Sequence, residues 1–196
     1  MICEICYTKW VAFGGTYFMN TTALTLKIIK DYPKPGINFI DINPLLQNPN
    51  QFAEIINKIC TRIQKLPIET LKSAAIIAPE ARGFVFAAPV AYRLGLPLLL
   101  IRKKGKIPNK PYAFHITNEY TSYDMEMDSE LLAQHRSFIY IDDILATGQT
   151  LASVRRALAP KNKEIALAVH VTSVEDLSPM RQSDPDLKNL PLEIIL

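Results

Sequence analysis

Apolar residues follow two alternating patterns along this chain, and together these patterns predict an α/β fold. Short apolar runs at 74–78, 96–101, 138–141 and 165–172 are typical of buried strands. Between these runs, apolar residues fall on one helical face, which predicts helices at 50–66, with Asn50 as cap, and at 83–94 and 150–158. Strands alternating with helices indicate a central, mostly parallel twisted sheet flanked by helices.

Three other segments complete the predicted layout. Residues 20–22 form an N-cap signal, so a helix is predicted at 23–30. A short extended piece follows at 37–42, and the polar, basic and proline-interrupted stretch 103–118 is predicted to be a long loop. Residues 19–196 are predicted to form one domain. Residues 1–18 lack a clear period, and we expect them to be a non-native or disordered extension, with Met19 as the natural start.

Composition excludes several classes of protein. The chain has 196 residues, of which 48% are hydrophobic and 21% charged, so disorder is not its main state. The net charge of +3 is too small to indicate a nucleic-acid or membrane-surface partner. Cys3, Cys6 and Cys60 cannot form a disulfide framework, and Cys3 and Cys6 have no second Cys/His pair nearby with which to bind zinc. We expect a cytoplasmic protein.

The segment 138–150 carries the most specific chemical signal. An apolar strand ends in Asp142 and Asp143, a turn of small and hydroxyl residues follows, and a helix then begins. A turn at a helix N-terminus presents backbone N–H groups that bind a phosphate. Carboxylates at the carboxyl end of a parallel strand accept hydrogen bonds from sugar hydroxyls or bind Mg²⁺. The segment therefore predicts a site for a ribose 5-phosphate, although two adjacent aspartates elsewhere often only cap a turn.

In this order, these residues resemble the phosphoribosyl-diphosphate (PRPP) motif of type I phosphoribosyltransferases. The segment 31–41 resembles the base-binding signature of adenine phosphoribosyltransferases, and 80–84, 100–108 and 119–120 resemble that family in the same order and with similar spacing. The resemblance implies the type I phosphoribosyltransferase fold with a small N-terminal hood at about 31–45. It also implies transfer of 5-phosphoribosyl from PRPP to adenine, which gives AMP and pyrophosphate in purine salvage.

The resemblance further implies a role for each matching residue. Asp142 and Asp143 would bind the ribose hydroxyls, with Asp143 and Glu119 as the catalytic residues. The loop that we call the phosphate loop would bind the 5-phosphate through Ala146, Thr147, Gly148, Gln149 and Thr150. Arg82 and the group that we call the basic edge would bind pyrophosphate; the basic edge consists of Arg102, Lys103 and Lys106. Asn38, Phe39 and Ile40 would bind the base. Mg²⁺ would arrive mainly with PRPP, without a metal site of the protein's own, and a homodimer is expected, with no nucleic-acid or membrane partner.

The chain departs from the family pattern at four positions. Gln149 and Thr121 stand where the family commonly has Gly, and if position 149 needs a positive φ, Gln would strain the turn. Ile40 replaces an Arg and Asn38 an apolar residue, which leaves room for another purine base. A catalytically silent PRPP-binding regulator is a third alternative. His115, His135 and His170 lack partners at metal-ligand spacing, and we expect them to be structural or solvent-facing.

Overall fold

The structure, a computed structural model, describes residues 26–32, 34–35, 39–117 and 122–196. The predicted 1–18 extension and the site residues Asn38 and Glu119 lie outside these ranges. Within them the strands are β1 (Lys27–Ile29), β2 (Phe39–Asp41), β3 (Ala74–Pro79), β4 (Leu98–Lys103), β5 (Pro111–Thr117), β6 (Ser122–Asp128), β7 (Ser137–Leu145), β8 (Glu164–Ser173) and β9 (Leu192–Ile194). The α-helices are α1 (Asn43–Gln47), α2 (Pro49–Ile63), α3 (Ile68–Ser73), α4 (Arg82–Leu94), α5 (Ser129–Gln134), α6 (Gln149–Leu158) and α7 (Ser178–Ser183).

The main sheet confirms the predicted fold class. Among the described residues, seven strands form one sheet in the order β5-β6-β4-β3-β7-β8-β9. β4, β3, β7, β8 and β9 are parallel, whereas β6 pairs antiparallel with β4 and with β5. The carboxyl ends of β3, β4 and β7 therefore meet at one edge, where open α/β sheets bind their ligands.

Each face of the sheet buries its own apolar cluster. On one face, Ile59 of α2 and Phe86 of α4 pack with Ile76 of β3 and Ile141 of β7. On the other, Leu151 and Val154 of α6 pack with Ile77 of β3 and Met125 of β6. Because both faces are covered, the central strands are apolar almost throughout, and this is what made them recognisable in the sequence.

The predicted helix at 23–30 is wrong for its described part. Lys27–Ile29 is the strand β1, which pairs antiparallel with β2 so that Ile28 lies opposite Ile40. Pairing with a distant segment decided this conformation, which the local cap signal could not indicate. These two strands form a small sheet apart from the main one.

The predicted loop at 103–118 is also wrong in its second half. β5 pairs with β6 along its whole length, from Pro111 opposite Asp128 to Thr117 opposite Ser122. Tyr112, Phe114 and Ile116 alternate along β5 and pack into the second apolar cluster. This alternation is the signal that the sequence prediction missed beside the prolines and basic residues of 103–110.

The helix predicted at 50–66 begins earlier than expected. The cap is Asn48 rather than Asn50, because the Asn48 side chain accepts the backbone N–H groups of Asn50 and Gln51 and Pro49 occupies the first turn. The predicted helix 83–94 corresponds to α4, which continues through Pro89 to Leu94. In the described part of the chain, no helix combines the length and apolarity needed to span a membrane.

Candidate active site

The phosphate loop lies between the end of β7 and the start of α6. Gly148 is the helix cap and has a φ of 83°, a conformation that glycine adopts without strain. The positive φ of this loop thus falls at Gly148 and not at Gln149, where the sequence raised the question of strain. Because the first N–H groups of a helix lack intrahelical partners, the start of α6 presents donors to an anion.

Residues from the C-terminal segment hold this loop through side-chain hydrogen bonds. The Nη1 group of Arg181 in α7 donates to the carbonyl oxygens of Ala146, at 2.8 Å, and Val174, at 2.7 Å. The Gln149 amide Nε2 donates to Asp184 Oδ2 at 3.0 Å. Sequence reasoning missed Arg181 and Asp184, because the contacts span 35 residues.

The two adjacent aspartates at the end of β7 have different surroundings. The Oδ2 of Asp142 accepts the Tyr140 hydroxyl at 3.1 Å, and its Oδ1 accepts the backbone N–H of Asp143 at 2.9 Å. Burial, together with the charge of Asp143, raises the pKa of Asp142 well above its usual value. Asp142 is therefore protonated more readily than an ordinary Asp, a difference that the sequence alone did not indicate.

Asp143 pairs with the predicted pyrophosphate residue Arg82. The Nε of Arg82 lies 2.8 Å from Asp143 Oδ2, and the Asp143 side chain is only 4% exposed. The two groups form an ion pair without hydrogen-bond alignment, so this buried oxygen has no hydrogen-bond partner among the described residues. A buried carboxylate with an unused acceptor is suited to a ligand hydroxyl or cation.

The same guanidinium reaches the predicted base-stacking residue. The Arg82 Cζ lies 5.7 Å from the centroid of the Phe39 ring, within the range of a cation–π contact. Phe39 lies in β2 of the small sheet, whereas Arg82 begins α4, so this contact connects the small sheet to that helix. Ile40, the neighbouring predicted base residue, pairs with Ile28.

Gly83 permits the close approach of α4 to β7. A Cβ at this position would lie 2.8 Å from Pro79 Cδ, 3.0 Å from the carbonyl oxygen of Ile141 and 3.1 Å from Asp142 Oδ1. The turn of Arg82 and the aspartates can therefore lie side by side only because residue 83 lacks a side chain. The preceding Glu80–Ala81 peptide bond is cis.

The basic edge is held by a carboxylate to which the sequence prediction gave no role. Glu80 Oε2 accepts Arg102 Nε at 3.2 Å and the backbone N–H of Lys103 at 3.0 Å, and Glu80 Oε1 accepts Lys106 Nζ at 2.7 Å. The hydrogen bond from Lys106, followed by that from Lys103, lowers the pKa of Glu80 to about 2. Glu80 is thus ionised near neutral pH.

A second carboxylate holds the backbone of the loop that follows β4. Glu126 Oε1 accepts the N–H groups of Lys106 and Ile107, both at 2.6 Å, and Glu126 is 2% exposed. Burial favours its neutral form, but the N–H donors of Ile107, Gly105 and Lys106 outweigh burial and lower its pKa. Glu126 therefore fixes the backbone of Lys106, whose ammonium group pairs with Glu80 instead.

Glu119 lies in the connection between β5 and β6, residues 118–121, outside the described residues. Its predicted catalytic role stays a prediction, as does the effect of Thr121. The strands on either side of this connection, β5 and β6, pair antiparallel from Pro111 opposite Asp128 to Thr117 opposite Ser122.

The phosphate loop lines a cavity of about 120 Å³ together with Tyr140, Asp142 and His170. His170 pairs in register with Asp142, is 2% exposed, and its Nδ1 has no hydrogen-bond partner among the described residues. Burial, with a smaller effect of the Arg181 charge, lowers the pKa of His170 to about 3, so its ring is neutral. Of the three histidines, His170 lies beside the site, whereas His115 is exposed and contacts Asp124.

Comparison with known proteins places this arrangement in a family. The phosphoribosyl transferase domain family matches residues 41–194. The chain belongs to this phosphoribosyltransferase family, which confirms the predicted family and enzyme class. Its curated relatives include the adenine phosphoribosyltransferases of Roseiflexus sp. strain RS-1, 38% identical over 75% of this chain and 84% of the relative, and of Idiomarina loihiensis, 38% identical over 76% and 81%.

Solved structures show the same fold. The adenine phosphoribosyltransferase of Thermoanaerobacter pseudethanolicus has a TM-score of 0.75 at 28% identity, covering 87% of this chain and 94% of its own. That of Saccharomyces cerevisiae, complexed with an imino-altritol bisphosphate and adenine, has a TM-score of 0.76 at 25% identity, covering 88% and 95%.

Proposed function

We propose that this protein transfers the 5-phosphoribosyl group of PRPP to adenine, giving AMP and pyrophosphate. One observation carries the proposal: Arg82 contacts both Asp143 and the ring of Phe39. A predicted leaving-group cation, a predicted ribose carboxylate and a predicted base-stacking ring therefore adjoin one another. The curated relatives named adenine phosphoribosyltransferase support the choice of adenine.

The chemistry follows from the charges of these groups. The bond between the ribose anomeric carbon and the pyrophosphate oxygen breaks, so positive charge grows on the sugar and negative charge on the leaving group. Asp143 stabilises the sugar cation, while Arg82 and the basic edge stabilise the leaving group. The N9 lone pair of the N7–H tautomer of adenine then forms the new bond. Glu119 is proposed to stabilise the proton at N7 and to accept it as the purine of AMP becomes neutral.

The phosphate loop has a different task in this proposal. The 5-phosphate stays on the sugar throughout, so the loop binds substrate and product alike and holds the anomeric carbon in place for attack. Its N–H groups at the start of α6 and the hydroxyls of Thr147 and Thr150 are the proposed donors. The loop also lines the cavity of about 120 Å³.

We propose that Mg²⁺ reaches this site with PRPP. Among the described residues there is no group of three or more His, Cys, Asp or Glu side chains that could hold a metal. Mg²⁺ commonly binds through one or two carboxylates together with substrate phosphates and water. Asp143, whose buried Oδ2 has an unused acceptor, and Asp142 are the residues that would contact it. When bound, the ion would neutralise charge on the leaving group.

The test is formation of AMP from adenine and PRPP with Mg²⁺, in competition with hypoxanthine, guanine and xanthine. We expect AMP as the main product and weak competition by the other purines. Preference for another purine would show that Asn38 and Ile40 changed the base. Binding of PRPP without any nucleotide product, by protein with a cooperative thermal melt, would contradict the proposal and favour a regulator. A homodimer and a cytosolic location stay predictions.

A further inference from the structure

Glu80 forms ion pairs with cations that are proposed to bind the leaving group. Its two carboxylate oxygens contact the Arg102 guanidinium, the Lys106 ammonium and the backbone N–H of Lys103. A pair of phosphate oxygens can be bound in the same way, by two cations and one N–H group. In this structure the basic edge is therefore already an anion site, filled by the chain's own carboxylate.

The site is open enough for an external anion to enter. The Arg102 and Lys106 side chains are 30% and 46% exposed, whereas the Glu80 side chain is 13% exposed. The Glu80 backbone is fixed, because its N–H donates to the carbonyl oxygen of Ile101 at 2.9 Å. Exchange of anions therefore requires only a rotation of the Glu80 side chain and no change in the sheet.

We propose that Glu80 is an internal competitor of pyrophosphate, which yields the basic edge to the diphosphate of PRPP and takes it back as pyrophosphate leaves. This proposal rests on the proposed function, since that function supplies the diphosphate. The diphosphate carries more negative charge than one carboxylate and can displace it. The returning Glu80 restores the ion pairs and so lowers the cost of releasing the product.

The chain offers a matched control in Glu126. Both glutamates contact the segment that carries Lys106. Glu126 accepts hydrogen bonds from its backbone N–H groups, whereas the side-chain cations of Arg102 and Lys106 pair with Glu80. If Glu80 merely positions the basic edge, Glu80→Gln and Glu126→Gln will both weaken the binding of pyrophosphate. If Glu80 competes, Glu80→Gln will strengthen it, because Gln can still accept the Lys103 N–H but no longer neutralises the cations.

The experiment is calorimetric titration of the 196-residue protein with magnesium pyrophosphate, which needs no transfer to adenine. We expect Glu80→Gln to bind pyrophosphate about three- to tenfold more tightly than the wild type, a change that corresponds to one or two partly exposed ion pairs. Glu126→Gln is expected to bind it less tightly. Weaker binding by Glu80→Gln, or no binding by the folded wild type, would overturn the proposal even if AMP is formed. Failure to form AMP with the expected pyrophosphate results would instead overturn the proposed function alone.

A second measurement does not depend on the folding of a variant. The pKa of Glu80 can be followed by NMR in wild-type protein labelled with ¹³C at glutamate carboxyl carbons, and we expect a value of about 2 while the cations are paired with it. Saturating pyrophosphate should raise that pKa towards the ordinary value for Glu, because the carboxylate loses its cationic partners. An unchanged Glu80 pKa in the presence of bound pyrophosphate would show that no exchange occurs.

Discussion

The phosphate loop and the basic edge both face anions in the proposed reaction, but they are built by different means. The phosphate loop takes its shape from the backbone, with a positive φ at Gly148, the start of α6 and the contact from Arg181 to Ala146. The basic edge depends on side-chain ion pairs, with Glu80 between Arg102 and Lys106. The first is fixed by packing, whereas the second is fixed by charge.

This difference corresponds to what each region would bind. The 5-phosphate is present in both PRPP and AMP, so a rigid cradle serves every step and binds substrate and product equally. The diphosphate gains charge as its bond breaks and must then depart. A site whose cations have an alternative partner is suited to a group that has to leave.

Asp143→Asn removes the charge that lies between the two regions, and it should have the largest effect on turnover. Loss of an electrostatic group aimed at the developing charge costs about 100- to 1000-fold in kcat. Folding should be retained, because Asn keeps the shape of the side chain and Arg82, whose side chain is 45% exposed, can be solvated. Steady-state kinetics and thermal melts check both statements. Turnover within threefold of the wild type would remove the role assigned to Asp143.

Gly148→Ala tests whether packing fixes the phosphate loop. The added Cβ would collide with Leu187, and the alanine would also have to adopt a backbone φ of 83°. Left-handed backbone and overpacking together predict a loss of about 3 kcal/mol in the free energy of unfolding, with a higher KM for PRPP.

The matched control is Gly95→Ala, which has a φ of 65° but no atom within 4 Å of the added Cβ. It carries only the backbone cost, about 1 kcal/mol, and should leave KM unchanged. Urea denaturation of both variants measures the difference. Equal losses would show that Leu187 does not restrain the loop.

His170→Phe tests whether the buried ring beside the phosphate loop makes stability depend on pH, and its effect should be smaller than that of Gly148→Ala. The folded pKa of His170 is about 3 against 6.5 in the unfolded chain, so the unfolded state binds more protons and stability falls as the pH drops below 6.5. From pH 8 to pH 5 this group should cost the wild type about 2 kcal/mol, and the Phe variant should lack that loss.

Glu80 provides the contrast within the same measurement. Its folded pKa of about 2 is lowered from 4.5, so its stabilising contribution is present above pH 4.5 and is lost as the pH falls from 4.5 through 2. Glu80→Gln should therefore keep the wild-type loss between pH 8 and pH 5. Urea denaturation at both pH values would contradict this account if Glu80→Gln, and not His170→Phe, abolished the loss.

Much of the site was predictable because its signals are local. The strand, the two aspartates and the turn before α6 are consecutive in the sequence, and the structure places the turn at the helix N-terminus as predicted. By contrast, Glu80 lies 22 residues before Arg102, and Arg181 lies 35 residues after Ala146. Such partners are brought together by the order of strands in the sheet, which local patterns do not specify.

The small sheet of β1 and β2 shows the same limit. A cap signal predicted a helix at 23–30, yet the described residues Lys27–Ile29 pair as a strand with Phe39–Asp41. By itself, the sequence determined the alternation of strands and helices, the turn between β7 and α6 and the family. Only the tertiary structure decided which charges neutralise one another, because an ion pair depends on distances across the sheet, and these exist only once the chain has folded.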